Sequence, residues 1–311
     1  MRMTPTVKGY FYAALAAAFY GTNPIFTVPL YGTGMNAVSV LLFRYMLGIP
    51  LLAAIIVSRS ERLALHRQEC LPLALLGIMM GISSLALYES YNYMNPGVAS
   101  TLLFMYPVLT ALMMTTFFHE QFRLIIWVCL IIMMIGLYLL IHSSDGIYID
   151  LYGVLLVFIS SLTYAIYLVM IKVSKILPFI PTIKSLLYQL LFGGLVYICI
   201  IILKNEFVIP HTFFQWGNLA GLVIIPTVVS LIFTIKAIRH IGPTPTAIFG
   251  ALEPVTAVVL SFLILGEAIS TREILGGLFI VAATMLVALA DSCDASLRRL
   301  RRRLGSMRFP R

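Results

Sequence analysis

The sequence predicts an all-α polytopic membrane protein of ten transmembrane helices, arranged as two inverted five-helix repeats with both termini cytoplasmic. Four observations lead there. Of the 311 residues, 61% are hydrophobic and only 11% charged, too few charges to cover a soluble protein of this size. Apolar runs of about 20 residues, the length a helix needs to cross a bilayer core, recur along the whole chain. Lysine and arginine crowd into alternate loops, and the two halves of the chain echo one another.

The runs fall at 9–31, 36–57, 71–93, 97–118, 122–141, 151–172, 182–203, 215–238, 244–265 and 273–290. The first contains AALAAAFYG, small residues at a spacing that signal peptidases cleave. It continues through Asn23 and Pro24 and has a counterpart in the second half, so it reads as a retained span. The second carries Arg44. The third opens on Gly77 and Gly81, a pair that suits close helix packing, and nears its end at Glu89. The fourth holds Pro107, and the fifth, WVCLIIMMIGLYLLI, is almost without polar side chains. The sixth brings Ser160, Tyr164 and Tyr167, and the seventh the segment LLYQLLFG. The eighth repeats the glycine spacing at Gly217 and Gly221, and the ninth holds Glu253 and Pro254. The tenth, ILGGLFIVAATMLVALA, follows a capping-box spacing from Ser270 to Glu273. No soluble domain has room between them.

Charge fixes the orientation. With the N-terminus in the cytoplasm, eighteen lysines and arginines lie inside, seven of them arginines after position 297, and two (Lys204 and Arg272) lie outside. The net charge of +9 is therefore a topology signal and calls for no nucleic acid. The basic tail, 291–311, pins the C-terminus inside; binding of anionic lipid head groups is its second reading. The four cysteines (Cys70, Cys129, Cys199, Cys293) have no metal or redox spacing.

The echo between the halves is specific. MYPVLTALMMTTFFHE ends in Glu120 and LEPVTAVVLSFLILGE in Glu267, each thirteen residues after its proline, Pro107 or Pro254. Pro96 and Pro243 stand eleven residues ahead of those prolines. Gly9 and Tyr20 match Gly153 and Tyr164, and LLFRYMLG matches LLYQLLFG, placing Arg44 opposite Gln189. The repeats cover 9–141 and 151–290. Five spans each is an odd number, so the second enters the membrane upside down, as the charges independently require. Inverted repeats are a transporter architecture with the substrate at midplane.

The proline–glutamate segments resemble those of the EamA family of the drug/metabolite transporter superfamily, with His119 where glycine is usual in the first copy. The resemblance spans all but the tail. It implies ten helices, cytoplasmic termini, and a central cavity lined by spans 1, 3, 4, 6, 8 and 9. It also implies carriage of amino acids, related metabolites or drugs, most often outward.

The candidate cavity residues on those spans are Tyr20, Asn23, Tyr88, Tyr106, Ser160, Tyr164, Tyr167, Ser230, Thr234 and Glu253. Pro107 and Pro254 each remove a backbone donor at mid-depth, marking a binding site, a hinge, or a packing kink. Glu120 and Glu267 sit at the interface and shape turns. Arg44 and Glu89, both entering from the outer side, are expected to pair and tie spans 2 and 3 together; the competing reading makes Arg44 a seat for a substrate carboxylate. Glu253, at midplane beside a helix break, either carries protons or braces the kink.

No P-loop, GxSxG or HExxH occurs, so the expectation is no enzyme, no cofactor and no metal. The expected protein is a secondary transporter of a bacterial inner membrane, exporting amino acids or related metabolites and drugs by alternating access. Uptake, a lipid-carrier flippase and a non-transporting scaffold are the alternatives.

Overall fold

The computed structural model describes residues 4–59, 63–90, 92–94, 99, 102–120, 124–140, 150–260, 263 and 271–306. In chain order the α-helices are α1 (Pro5–Tyr20), α2 (Asn23–Gly32), α3 (Ala37–Ser58), α4 (Arg67–Ser90), α5 (Tyr106–Phe118), α6 (Leu124–Leu140), α7 (Leu151–Val173), α8 (Thr182–Lys204), α9 (Phe213–Leu222), α10 (Ser230–Ile241), α11 (Pro243–Gly250), α12 (Leu252–Leu260) and α13 (Thr271–Ser306). A π-helical stretch, Val223–Val229, joins α9 to α10 in one rod. Six stretches are long and apolar enough to cross a membrane: α3, α4, α7, α8, Phe213–Ile241 and Pro243–Leu260. Shorter apolar helices cover Tyr106–Phe118, Leu124–Leu139 and Ile274–Leu289.

The helices begin and end for local reasons. Asn36 caps α3 by accepting from the Ser39 amide at 2.9 Å, and Asp150 caps α7 through the Tyr152 amide at 2.7 Å. Thr212 and Gln215 form a reciprocal capping box on α9. His119 ends α5 in the left-handed region, φ 52°. A glycine takes that conformation without strain, and histidine is among the few other residues that tolerate it. The Glu120 amide then closes the helix on the Met114 carbonyl at 3.0 Å, the turn-shaping place expected of it. Its counterpart Glu267 lies outside the described residues.

Three spans are broken rather than continuous. The first run divides at Gly21–Thr22, the fourth turns at Phe104–Met105, and the ninth divides at Ala251. Each break precedes a proline: Pro24, Pro107 and Pro254. A proline cannot donate to the carbonyl four residues back and its ring crowds that carbonyl, which here belongs to Tyr20, Leu103 and Gly250. α13 runs unbroken for 36 residues, carrying the tenth apolar run on into the basic segment as far as Ser306. Leucine and arginine, which fill the tail, are good helix formers.

The two halves interleave. α1 packs along α10 and α4 along α7, each pair joining one half to the other. One contact occurs in both pairs: Ser230 Oγ donates to the Ala16 carbonyl at 2.8 Å, and Ser83 Oγ to the Ser160 carbonyl at 2.9 Å. Gly9 lies against His240 and Ile241, and Gly153 against Tyr93 and Met94. α6 and α13 pack on each other through Gly136, where an added Cβ would stand 2.8 Å from the Gly276 carbonyl oxygen.

α4 and α8 also meet along a glycine seam. Gly77 and Gly81 lie on the backbone of Gly193, with a Cβ at Gly77 only 2.9 Å from the Gly193 nitrogen. Lys184 meets Glu69 at 2.8 Å at one end, and Lys204 meets Glu89 at 3.0 Å at the other. Sequence number rises in the same direction on both helices, so α4 and α8 run parallel.

Candidate functional site

A cavity of about 580 Å³ lies inside the bundle, within the range of small-molecule sites. It reaches from Glu253 and Tyr106 to the end of α4 that carries Glu89, where Asn92 is exposed. Its polar wall is built from two helices at a spacing of four residues. Asn23, Thr27 and Tyr31 form one stripe along α2, and Ser84, Tyr88 and Asn92 another along and just beyond α4. Tyr20, Tyr106, Tyr164 and Glu253 form its floor, with Met80, Leu87, Leu103, Phe104 and Leu231 as apolar surface.

The three helix breaks define that floor. Tyr20 is the last residue of α1, Tyr106 the first of α5, and Glu253 the second of α12. Gly21 lets the end of α1 rest on α12: a Cβ there would stand 2.6 Å from the Glu253 carbonyl oxygen and 2.8 Å from Thr256 Cβ. The Tyr106 hydroxyl lies against Gly250. The ring of Tyr106 meets Tyr164 edge-on, centroids 4.8 Å apart. Below the floor lies a second space of about 30 Å³, room for about one water, bordered by Ser230, Thr234 and Thr246 as well as Tyr20, Tyr106, Tyr164 and Glu253.

Of the ten candidate cavity residues, Tyr20, Asn23, Tyr88, Tyr106, Tyr164 and Glu253 line the large cavity, and Ser230 and Thr234 line the small one. Ser160 and Tyr167 line neither and are fully buried elsewhere. Ser160 exchanges hydrogen bonds with Ser83, at 2.7 Å to its carbonyl. The Tyr167 hydroxyl donates to Gln189 Oε1 at 3.1 Å. Ser160 packs against α4 and Tyr167 against α8, while Tyr164 lines the cavity. Thr27, Tyr31, Ser83 and Ser84 line the cavity without having been singled out. The four-residue step from Asn23 is the signal that exposes two of them, since such residues share one helix face.

The expected tie between Arg44 and Glu89 is not formed. Glu89 takes Lys204 instead, because α8 rather than α3 lies beside that end of α4. Arg44, only 2% exposed, donates from Nε to Thr227 Oγ1 at 2.6 Å and stacks over the Tyr20 ring, 5.4 Å from its centroid. Pro226 opens the π-helical turn that presents Thr227, whose hydroxyl donates in turn to the Leu222 carbonyl at 2.7 Å. Arg44 thus joins the first half to the second. It does not line the cavity, since Tyr20 stands in front of it.

An all-helical, multi-pass membrane bundle holding a polar-walled cavity at the breaks of its helices is the construction of a membrane transporter. The comparisons agree. Residues 7–142 and 151–289 each match the EamA-like transporter family, and the chain belongs to that family. Among curated proteins, an uncharacterized transporter of Synechocystis sp. is 31% identical over 212 residues, which span 64% of this chain and 61% of the relative. An uncharacterized transporter of Clostridium kluyveri is 25% identical over 297 residues, covering 90% of this chain and 92% of the other. A solved crystal structure superposes with a TM-score of 0.77 at 15% identity, over 91% of this chain and 96% of that one. That likeness is one of fold.

Proposed function

We propose that the protein is a secondary transporter of the bacterial inner membrane that exports a small amphipathic metabolite, an amino acid or a related compound, by alternating access. The observation that supports this reading best is the cavity itself. It is of metabolite size, its floor is assembled from both halves, and that floor coincides with three helix breaks. Broken helices let short segments tilt without unpicking a whole span, which is what rocking of one half against the other needs.

In this reading ten crossings place both termini in the cytoplasm. Glu89, Lys204 and Asn92 then lie at the outer face, and the cavity is open outward. The layer formed by Tyr20, Tyr106, Tyr164 and Glu253 closes the inward path, backed by Tyr10 against Phe249, ring centroids 5.2 Å apart. The basic residues that continue α13 rest on anionic head groups.

Two measurements test it. Metabolites are profiled in medium and cytosol of cells with and without the protein; the reading expects one class depleted inside and enriched outside. Reversal of that pattern would make the protein an uptake carrier. In a variant without native cysteines, Thr27→Cys is expected to react with a membrane-impermeant maleimide from outside while Thr246→Cys does not.

A further inference from the structure

The cavity wall is charged on one side of the ledger only. Among the described residues that line it, Glu253 is the sole ionisable group apart from the tyrosines. Among the described residues, no donor is hydrogen-bonded to its carboxylate and no cation forms an ion pair with it. Glu253 thus lines the cavity with nothing to accept from, and an acceptor left unmatched costs free energy that a donating ligand recovers.

α1 and α11 end at this floor, at Tyr20 and Gly250, and α5 and α12 begin there, at Tyr106 and Leu252, so carbonyl and amide ends meet and the backbone favours neither sign. Arg44 stands behind the Tyr20 ring, is held through Nε by Thr227, keeps Nη2 buried without a hydrogen-bond partner, and does not line the cavity. Around Glu253 stand the rings of Tyr20, Tyr106 and Tyr164, whose faces attract cations.

From this we infer that the cavity selects a primary ammonium group on an apolar body, with Glu253 as its acceptor, over a carboxylate, which the same charge repels. The inference rests on the transporter reading and narrows its substrate class from amino acids toward amines and amino acids whose carboxylate is masked.

The test uses the full-length protein in detergent and four probes with one ring and different heads: phenylethylamine, phenylalanine, phenylpropionate and phenylethanol. Binding is read as the saturable rise of the melting midpoint. Phenylethylamine is expected to bind about tenfold or more tightly than phenylethanol, as a buried charge partner implies, with phenylalanine weaker than the amine and phenylpropionate without effect. Glu253→Gln is expected to remove the advantage of the amine over the alcohol. If that variant does not fold, Glu253→Asp draws the same charge back by one methylene and is expected to weaken the amine several-fold and the alcohol little. Phenylpropionate binding as well as the amine, amine binding unchanged in Glu253→Gln, or no binding by any probe each overturns the inference. Counterflow in proteoliposomes separates the two readings. Movement of the alcohol or the acid with no preference for the amine keeps the transporter and overturns the ammonium site; amine bound through Glu253 but never moved keeps the site and overturns the transporter.

Discussion

Thr227 carries more than its size suggests. Its hydroxyl both accepts from Arg44 Nε and donates to a carbonyl opened by the π-turn, beside a guanidinium whose Nη2 is already without a hydrogen-bond partner. Thr227→Val keeps the shape and removes that acceptor; a loss of about 1–3 kcal/mol is expected, as for a buried charged donor left unmatched. Thr227→Ser should recover most of it, and denaturant titration in micelles reads both. Gly21 is the other small residue with a large consequence. A methyl there meets the Glu253 carbonyl and Thr256, backbone and branched side chain that cannot turn aside. Gly21→Ala is expected to part α1 from α12 and to reduce transport by an order of magnitude or more, with the melting midpoint lowered. The sequence showed which polar residues lie at mid-depth but not which way each one faces. That is why Tyr20 and Tyr164 are found at the cavity while Tyr167, three positions on, is packed against Gln189.

The α4–α8 pair shows what depth alone leaves out. Arg44 and Glu89 both enter from one side and both are charged, and pairing them follows from depth. Lys204 was assigned to a loop, yet it closes on Glu89 because α8 is its neighbour; adjacency of spans is a tertiary fact. The glycines were more informative: Gly77 and Gly81 promised close packing and do lie on Gly193. Of the two ion pairs Lys184–Glu69 is the better protected, its side chains 8% and 16% exposed against 44% and 28% for Lys204–Glu89. Glu69→Gln should therefore lower stability more than Glu89→Gln, whose effect is expected within about 1 kcal/mol, as for solvent-exposed pairs. Exchanging charges in the double variant Glu69→Lys with Lys184→Glu should restore what the first change alone removes. Equal costs for Glu69→Gln and Glu89→Gln would mean that burial does not set the strength of these pairs.

At the scale of the whole molecule, the sequence shows many spans because apolar length is a one-dimensional property. The matched prolines likewise disclosed two of the three breaks; the break of the first span was concealed because Pro24 has no counterpart in the second half, where α7 runs continuous. Interleaving of the halves is what no linear reading displays. Since α1 packs on α10 and α4 on α7, neither half folds onto itself alone. Residues 1–145 expressed without the remainder are accordingly expected to be degraded, and co-expression with residues 146–311 to rescue them. Accumulation of the first piece by itself, in a folded and soluble-in-detergent form, would count against a shared core.

Glu69 and Glu89 are twenty residues apart, as are Lys184 and Lys204, and helices advance 1.5 Å per residue, which sets the two ion pairs about 30 Å apart. That is the thickness of a typical hydrocarbon layer. Because the glycine seam prevents α4 and α8 from sliding past one another, the span between these charges is a fixed length, and the surrounding lipid must conform to it. The protein should therefore read acyl-chain length. Thinner or thicker bilayers would drag one charged pair toward oil or leave apolar helix in water, each at a fraction of a kcal/mol per Å, so thermal stability in vesicles of graded chain length is expected to peak near that 30 Å core and decline on both sides.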